Sequence, residues 1–248
     1  MWVLEGYAPG FSDDALSIMS ARTASARAQF VVRLLRPGNR VLDVGCGPGS
    51  ITRGFVPFVG EGRVLGVDAV AGQFPSESTV DFAAGSVYDL PVAPESVDLV
   101  FAHALFEHLV RPADALRELR RVLRPGGTLA LSTSDWSRAR IRPRTANVTA
   151  ALRGHYLLRR RVGGDPFAGK HIASLVSQAG FREVVTHARY RPDMSYRDLA
   201  RYVESRLDAA LRSSPDVQLA SAARSAWAWS HTGDGDFAQC WVELVATK

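Results

Sequence analysis

The stretch that most limits what this chain can become is VLDVGCGPGS, residues 41–50. Residues suited to a buried strand run straight into three glycines spaced two apart, Gly45, Gly47 and Gly49. Glycine loses more freedom on folding than any other residue, so such a cluster marks a backbone that turns sharply and lets another group come close. Short apolar runs recur at RVLGVD (63–68), VDFAAG (80–85), VDLVFAH (97–103) and TLALST (128–133), with helical stretches between most of them. These runs are nearly continuous in apolar residues. That is how a parallel sheet covered on both faces reads.

The intervening pattern sets the remaining expectations. Leu16, Met19, Phe30, Val31, Leu34 and Leu35 predict a helix over 13–36, stopped by Pro37-Gly38. A short helix is expected over 50–59, and another from Pro112, with Leu116, Leu119, Val122 and Leu123 on one face and Pro125-Gly126-Gly127 at its end. The 11 residues AVAGQFPSEST leave room only for a short or degenerate helix. Beyond 134 the rhythm breaks, and 136–170 reads as a long, irregular, arginine-rich stretch. A helix (171–181) and a strand (183–190) restore it, a second helical excursion covers about 195–230, and 237–247 reads as a closing strand.

The expected organisation is one domain, 1–248, with a core of about 13–134, 171–190 and 237–248. Segments 135–170 and 191–236 leave the carboxyl ends of strands, where open α/β sheets bind ligands. Both are therefore read as lid insertions, joined by Trp2, Tyr7 and Phe11, of which Tyr7 and Phe11 are candidates to line the substrate pocket.

Composition narrows the partners. No apolar run is long enough to span a bilayer, and the N-terminus lacks a basic region followed by an apolar one, so a cytoplasmic protein without a membrane partner is expected. Cys46 and Cys240 have no metal-like spacing, so no metal site is expected. The net charge of +5 rests almost wholly on arginine, since Lys170 and Lys248 are the only lysines. Eight arginines (138, 140, 142, 144, 153, 159, 160 and 161) and no acid fall between 137 and 164. They read either as a solvated face or as recognition of a carboxylate, a phosphate or nucleic acid.

Three ligands compete for the glycine turn. A phosphate loop needs Gly-Lys-Ser/Thr, and no lysine is near. The dinucleotide fingerprint wants a third glycine where Ser50 stands. The third reading is a nucleoside cofactor without a pyrophosphate; Asp68, at the end of the second strand and placed to accept ribose hydroxyls, fits either NAD or S-adenosylmethionine.

The segments VLDVGCGPGS, VLGVD, AAGSVYDLP, SVDLVFAHALFEHL and LRELRRVLRPGGTLAL, in this order and spacing over about 38–134, resemble the class I S-adenosylmethionine-dependent methyltransferases, specifically the small-molecule (type 11) group. The resemblance implies an α/β, Rossmann-like fold: a mostly parallel seven-stranded sheet, helices on both faces and a helical lid. It implies S-adenosylmethionine as cofactor, with Gly45, Cys46 and Gly47 approaching its methionine part and Asp68 and Ala69 at the ribose. Asp43 either faces the cofactor's cationic amino end or only bonds the turn amides. Ser86, followed by Val87, stands where many members carry an aspartate that contacts the adenine amine. Cys46 is expected to be a small packing residue rather than a nucleophile.

The acceptor side is less specified. His103 falls at the end of the fourth strand, near the methionine part, and His108 stands where some small-molecule O-methyltransferases of the family place a basic histidine. Both are candidate bases, or His108 merely packs the following loop. Trp136 is left between lining the acceptor pocket and plugging the lid core; Trp227 and Trp229 read as core. The expected function is methyl transfer to the oxygen or nitrogen of a small molecule, as in specialised metabolism, with nucleic acid disfavoured. The alternatives are an RNA methyltransferase whose arginines track phosphates, and a cofactor-binding protein that transfers no methyl group, such as a cyclase scaffold or regulatory module.

Overall fold

The computed structural model describes residues 19–75 and 80–248; Trp2, Tyr7, Phe11 and the start of the expected first helix lie outside them. Strands β1 (Arg40–Val44), β2 (Arg63–Asp68), β3 (Asp81–Ala84), β4 (Val97–His103) and β5 (Leu123–Ser134) pair in parallel in the order β3-β2-β1-β4-β5. Beyond them β8 (Asp236–Thr247) runs antiparallel to β5, to β6 (Arg140–Arg142) and to β7 (Arg182–Arg191). The three-residue β6 is an addition to the seven strands expected. It forms because the chain leaving β5 makes one tight turn at Trp136–Arg138 and pairs with the start of β8.

The helices are α1 (Ala24–Arg27), α2 (Gln29–Val32), α3 (Ser50–Arg53), α4 (Val56–Val59), α5 (Pro112–Val122), α6 (Ala146–Arg161), α7 (Ala168–Gln178), α8 (Tyr196–Ser213) and α9 (Val217–Ser230). Successive strand side chains point to opposite faces, and here both faces are buried. Val41, Leu99, Phe101 and Ala130 pack against Ala24, Val31, Ile51, Phe55 and Val59 of the first helices and their connections. Leu42, Val44, Val100, Leu129 and Leu131 pack against Leu116 and Leu119 of α5 and Ile172 and Val176 of α7. Helices α6, α8 and α9 bury Val148, Leu152, Leu199, Val203, Leu207, Leu219 and Ala226 among themselves as a third core, closed by Ile141 of β6 and Phe237 of β8. No helix among the described residues is long and apolar enough to cross a membrane.

Four expectations need correction. The described part of the 13–36 helix is broken: Met19 and Ser20 are helical, the chain then leaves the helix, and two short turns follow, α1 capped by the Thr23 hydroxyl and α2, parted at Ala28. Ala28, Val31 and Leu35 are still buried, so the stripe survives while packing overrides helical continuity. Pro125-Gly126-Gly127 does not end α5, which stops at Val122; it lies inside β5, where the register with β4 shifts. The stretch 136–170 is not irregular. It contains the sixteen-residue α6, N-capped by Thr145, whose buried face includes Gly154, His155 and Arg159 and so shows no clean apolar period. In the connection of residues 69–79, the described residues hold one short turn, at Ala71–Gln73. Trp229 is core, but Trp227 is largely exposed.

Candidate functional site

The glycine turn leaves the carboxyl end of β1 with Gly45, Gly47 and Gly49 all at positive φ (72°, 54° and 71°). Its amides are ordered by the neighbouring strand. Gly45 and Cys46 donate to the Val67 carbonyl, at 2.8 and 3.2 Å, and Gly47 donates to Asp68 Oδ2 at 2.9 Å. Asp68 Oδ1 accepts from Val70 N at 2.9 Å. The carboxylate expected at a ribose thus also ties β2 to the turn, and Ala69 beside it is exposed. Each of its oxygens takes one described N–H and keeps a lone pair for a further donor. A Cβ on Gly47 would meet only the ends of Gln73 and Met19, at 3.6 and 3.8 Å, so the backbone face there is open to close approach. Gly49 is different. A Cβ there would lie 2.2 Å from the Phe82 ring, so this glycine serves packing.

Asp43 is buried and accepts a 2.6 Å bond from the Thr52 hydroxyl, while Asp68 and two backbone carbonyls take the turn amides. Burial, with the Asp68 charge adding to it, pushes the Asp43 carboxyl up to about 7 despite the Thr52 bond. Burial, together with Asp43 and Asp68, also pushes the Cys46 thiol far up, which leaves it inert as a nucleophile. The Ser86 hydroxyl accepts from the Tyr88 amide at 3.2 Å, and Val87 packs on the core. Gln73 Oε1, beside Gly47, is buried without a hydrogen-bond partner among the described residues. Sequence reading passed over Gln73 because a lone glutamine in a short connection belongs to no motif.

At the end of β4, Ala104 turns the chain at a φ of 54° and donates to the Ser132 carbonyl at 2.9 Å. His103, just before it, is buried with neither ring nitrogen hydrogen-bonded among the described residues, and its ring lies 4.7 Å from that of Trp241. Trp241 Nε1 donates to Asp193, which also holds Arg27 at 2.7 Å. Burial, then the charges of Arg22, Arg27 and Arg191, hold His103 well below the usual histidine range. Burial, then Arg159 and Arg22, do the same to His108. Both are neutral imidazoles at neutral pH and weak bases.

The helical layer is stitched to these strand ends through the backbone. Gly164 N donates to the Arg159 carbonyl, Asp165 N to the Glu107 carbonyl and Trp136 N to the Pro166 carbonyl, each at 3.0 Å. Glu107 is buried beneath this junction and accepts a 2.7 Å bond from the Thr133 hydroxyl. Trp136 stacks on Phe237 at 6.0 Å and meets His155 and Tyr156 edge-on. His103, His108, Trp136 and Arg159 therefore gather around one end of the sheet.

A sheet of this order, with a glycine turn after β1 and an acid closing β2, defines a Rossmann-like nucleoside-binding protein of the methyltransferase type. A family model described as a methyltransferase domain matches residues 42–131. A probable methyltransferase of Aspergillus luteorubrus is 34% identical over 71% of this chain and 68% of its own length. An uncharacterised methyltransferase of Schizosaccharomyces pombe is 31% identical over 67% of this chain, which spans 65% of that relative. A trans-aconitate 2-methyltransferase of Methylobacterium nodulans is 34% identical over 56% of this chain and 50% of its own length. Among solved structures, Haemonchus contortus phosphoethanolamine N-methyltransferase 2, in complex with phosphomonomethylethanolamine and S-adenosylhomocysteine, superposes with a TM-score of 0.60 at 16% identity, over 96% of this chain and 58% of that one. The chain belongs to the class I S-adenosylmethionine-dependent methyltransferases, and S-adenosylmethionine is its cofactor. The open acceptor atoms of the turn, on Asp68 and Gln73, suit a ligand that brings hydroxyl and amine donors.

Proposed function

We propose that the protein transfers a methyl group from S-adenosylmethionine to the oxygen or nitrogen of a small-molecule acceptor. The single observation that carries this reading is the backbone junction of residues 164–166 with Glu107, Trp136 and the end of α6, which sets a separately cored helical layer against the ends of β4 and β5. Such a roof suits a compact acceptor better than a polymer. On this reading 1–248 is one domain, with α6, α8 and α9 as its lid.

S-adenosylmethionine supplies a methyl group on a sulfonium, whose departure needs no acid. The chain's own task is alignment and exclusion of water. Asp68 would take the ribose hydroxyls while holding Gly47, and Ala69 would flank them. Gly45, Cys46 and Gly47 would let the backbone approach the methionine part. Ser86 and Val87 would border the adenine, and Gln73 would accept a donor at the turn. Asp43, buried near the turn, would meet the cationic amino end. His103 and His108 would stand beside the transfer point, where their depressed basicity suits hydrogen bonding or packing better than proton removal.

The test is calorimetric titration with S-adenosylmethionine, S-adenosylhomocysteine and NAD, on the wild type and on Asp68→Ala. Micromolar binding of the first two, lost in the variant, is expected; binding of NAD alone would sink the reading. Labelled methyl transfer to an acceptor panel then separates an enzyme from a protein that only binds the cofactor. The RNA alternative is weakened by what the arginines do. Arg138 contacts Asp135 and Cys240, Arg140 lies over Tyr190, Arg160 over Phe167, and Arg161 pairs with Asp216.

A further inference from the structure

Of the eight arginines between 137 and 164, Arg159 is the one drawn inside. It is 8% exposed, and its Nε and Nη1 are buried with no hydrogen-bond partner among the described residues. A guanidinium taken out of water without a partner is strongly unfavourable, so its burial calls for a compensating anion. The position of Arg159 in the last turn of α6 offsets part of that charge through the helix dipole, but a dipole does not occupy the free N–H groups. No acid is hydrogen-bonded to Arg159 among the described residues: Glu107 accepts from Thr133 and Asp135 Oδ1 from Ser137, while Asp135 Oδ2, itself buried without a hydrogen-bond partner, has Arg138 3.3 Å away.

Aromatic groups surround the guanidinium. Its Cζ lies 5.9 Å from the Trp136 ring centre, and its field reaches His108, His155 and Tyr156. We propose that Arg159 binds a carboxylate of the acceptor, so that the substrates of this site are organic acids. The inference rests on the methyltransferase reading above. One buried guanidinium matches the single charge of a carboxylate, and aromatic neighbours suit an organic body. An acid also removes the need for a strong base when a second carboxylate receives the methyl group, because that oxygen is already anionic at neutral pH.

The test uses protein loaded with S-adenosylhomocysteine, as wild type, Arg159→Lys and Arg159→Met. The probes are trans-aconitate, a set of aliphatic and aromatic carboxylic acids, the primary amide of each, and inorganic phosphate. Binding is read by calorimetry, and transfer from labelled S-adenosylmethionine is read on the same compounds. At least one acid is expected to bind, with its amide weaker by about tenfold or more. Arg159→Met is expected to lose about tenfold or more in kcat/KM for that acid, mainly through KM, and Arg159→Lys to recover part of it. Affinity for S-adenosylhomocysteine should stay unchanged and Tm should not fall, since an unpartnered charge has been removed.

Equal binding of acids and amides, failure of every acid to bind the loaded protein, or preference for phosphate would overturn the proposal. So would a fall in Tm in Arg159→Met with acid binding intact. Failure of the wild type to bind S-adenosylhomocysteine would instead overturn the methyltransferase reading, and this inference with it.

Discussion

At the scale of single residues, the glycine turn mixes two kinds of necessity. Gly49 stands at positive φ with the Phe82 ring where its Cβ would be, whereas Gly38, at a φ of 85°, has nothing within 4 Å of that point. Gly49→Ala should therefore cost about 3 kcal/mol in urea unfolding, from backbone strain plus overpacking. Gly38→Ala should cost only the strain, about 1 kcal/mol. Asp43 contributes a pH dependence opposite in sign to that of the buried neutral histidines His103, His108 and His155. Its carboxyl sits at about 7 when folded against 3.8 as the ordinary value, so the folded state binds the extra proton and stability falls as pH rises between them. Over that gap the loss approaches about 4 kcal/mol. Asp43→Asn should thus raise stability at pH 8 and leave it unchanged below about pH 4, measured by denaturation across that range. The same variant should weaken S-adenosylhomocysteine binding, because a buried carboxylate is tolerated best where a cationic group faces it.

Among the elements, the contact between α6 and α9 is the tightest point of the helical layer. A Cβ at Gly154 would fall 2.3 Å from the Ala222 Cβ and 3.1 Å from Leu207. Gly154→Val should force the two helices apart and cost about 2 kcal/mol in a thermal or urea melt. S-adenosylhomocysteine affinity should survive, since the turn and Asp68 belong to the sheet, while methyl transfer should drop with the displacement of Trp136 and Arg159. Loss of cofactor binding in that variant would show that the helical layer and the cofactor site are one unit.

For the molecule as a whole, the two-faced sheet and the separate core of α6, α8 and α9 predict how ligand binding reports on stability. S-adenosylhomocysteine at about a hundred times its dissociation constant should add about 2.7 kcal/mol, or roughly 5–10 °C in Tm for a chain of this size. A scanning melt checks this, and Asp68→Ala should abolish the shift. The charge of +5 leads to a weaker expectation than its size suggests. Ion pairs neutralise Arg138 and Arg161, and Arg140 and Arg160 lie over aromatic rings, so binding to RNA should be weak at low salt and lack the steep salt dependence of a phosphate-tracking surface.

The sequence by itself determined the sheet. Strands 63–68 and 97–103 fall where their apolar runs place them, and the turn after β1 follows from three glycines, which take up positive φ without the strain a side chain adds. Those signals are local, written in periodicity and backbone freedom over a few neighbouring positions. Only the tertiary structure decided which arginine is buried, why Gly49 is needed beside Phe82, that Gln73 faces the turn and that Thr52 rather than a turn amide holds Asp43. It also showed that 136–170, irregular by its pattern, holds α6, whose inner face carries Gly154, His155 and Arg159 instead of an apolar stripe. Each of these depends on groups distant in the chain meeting at one place, and burial, unlike helical or strand period, leaves no mark on a single residue's neighbours.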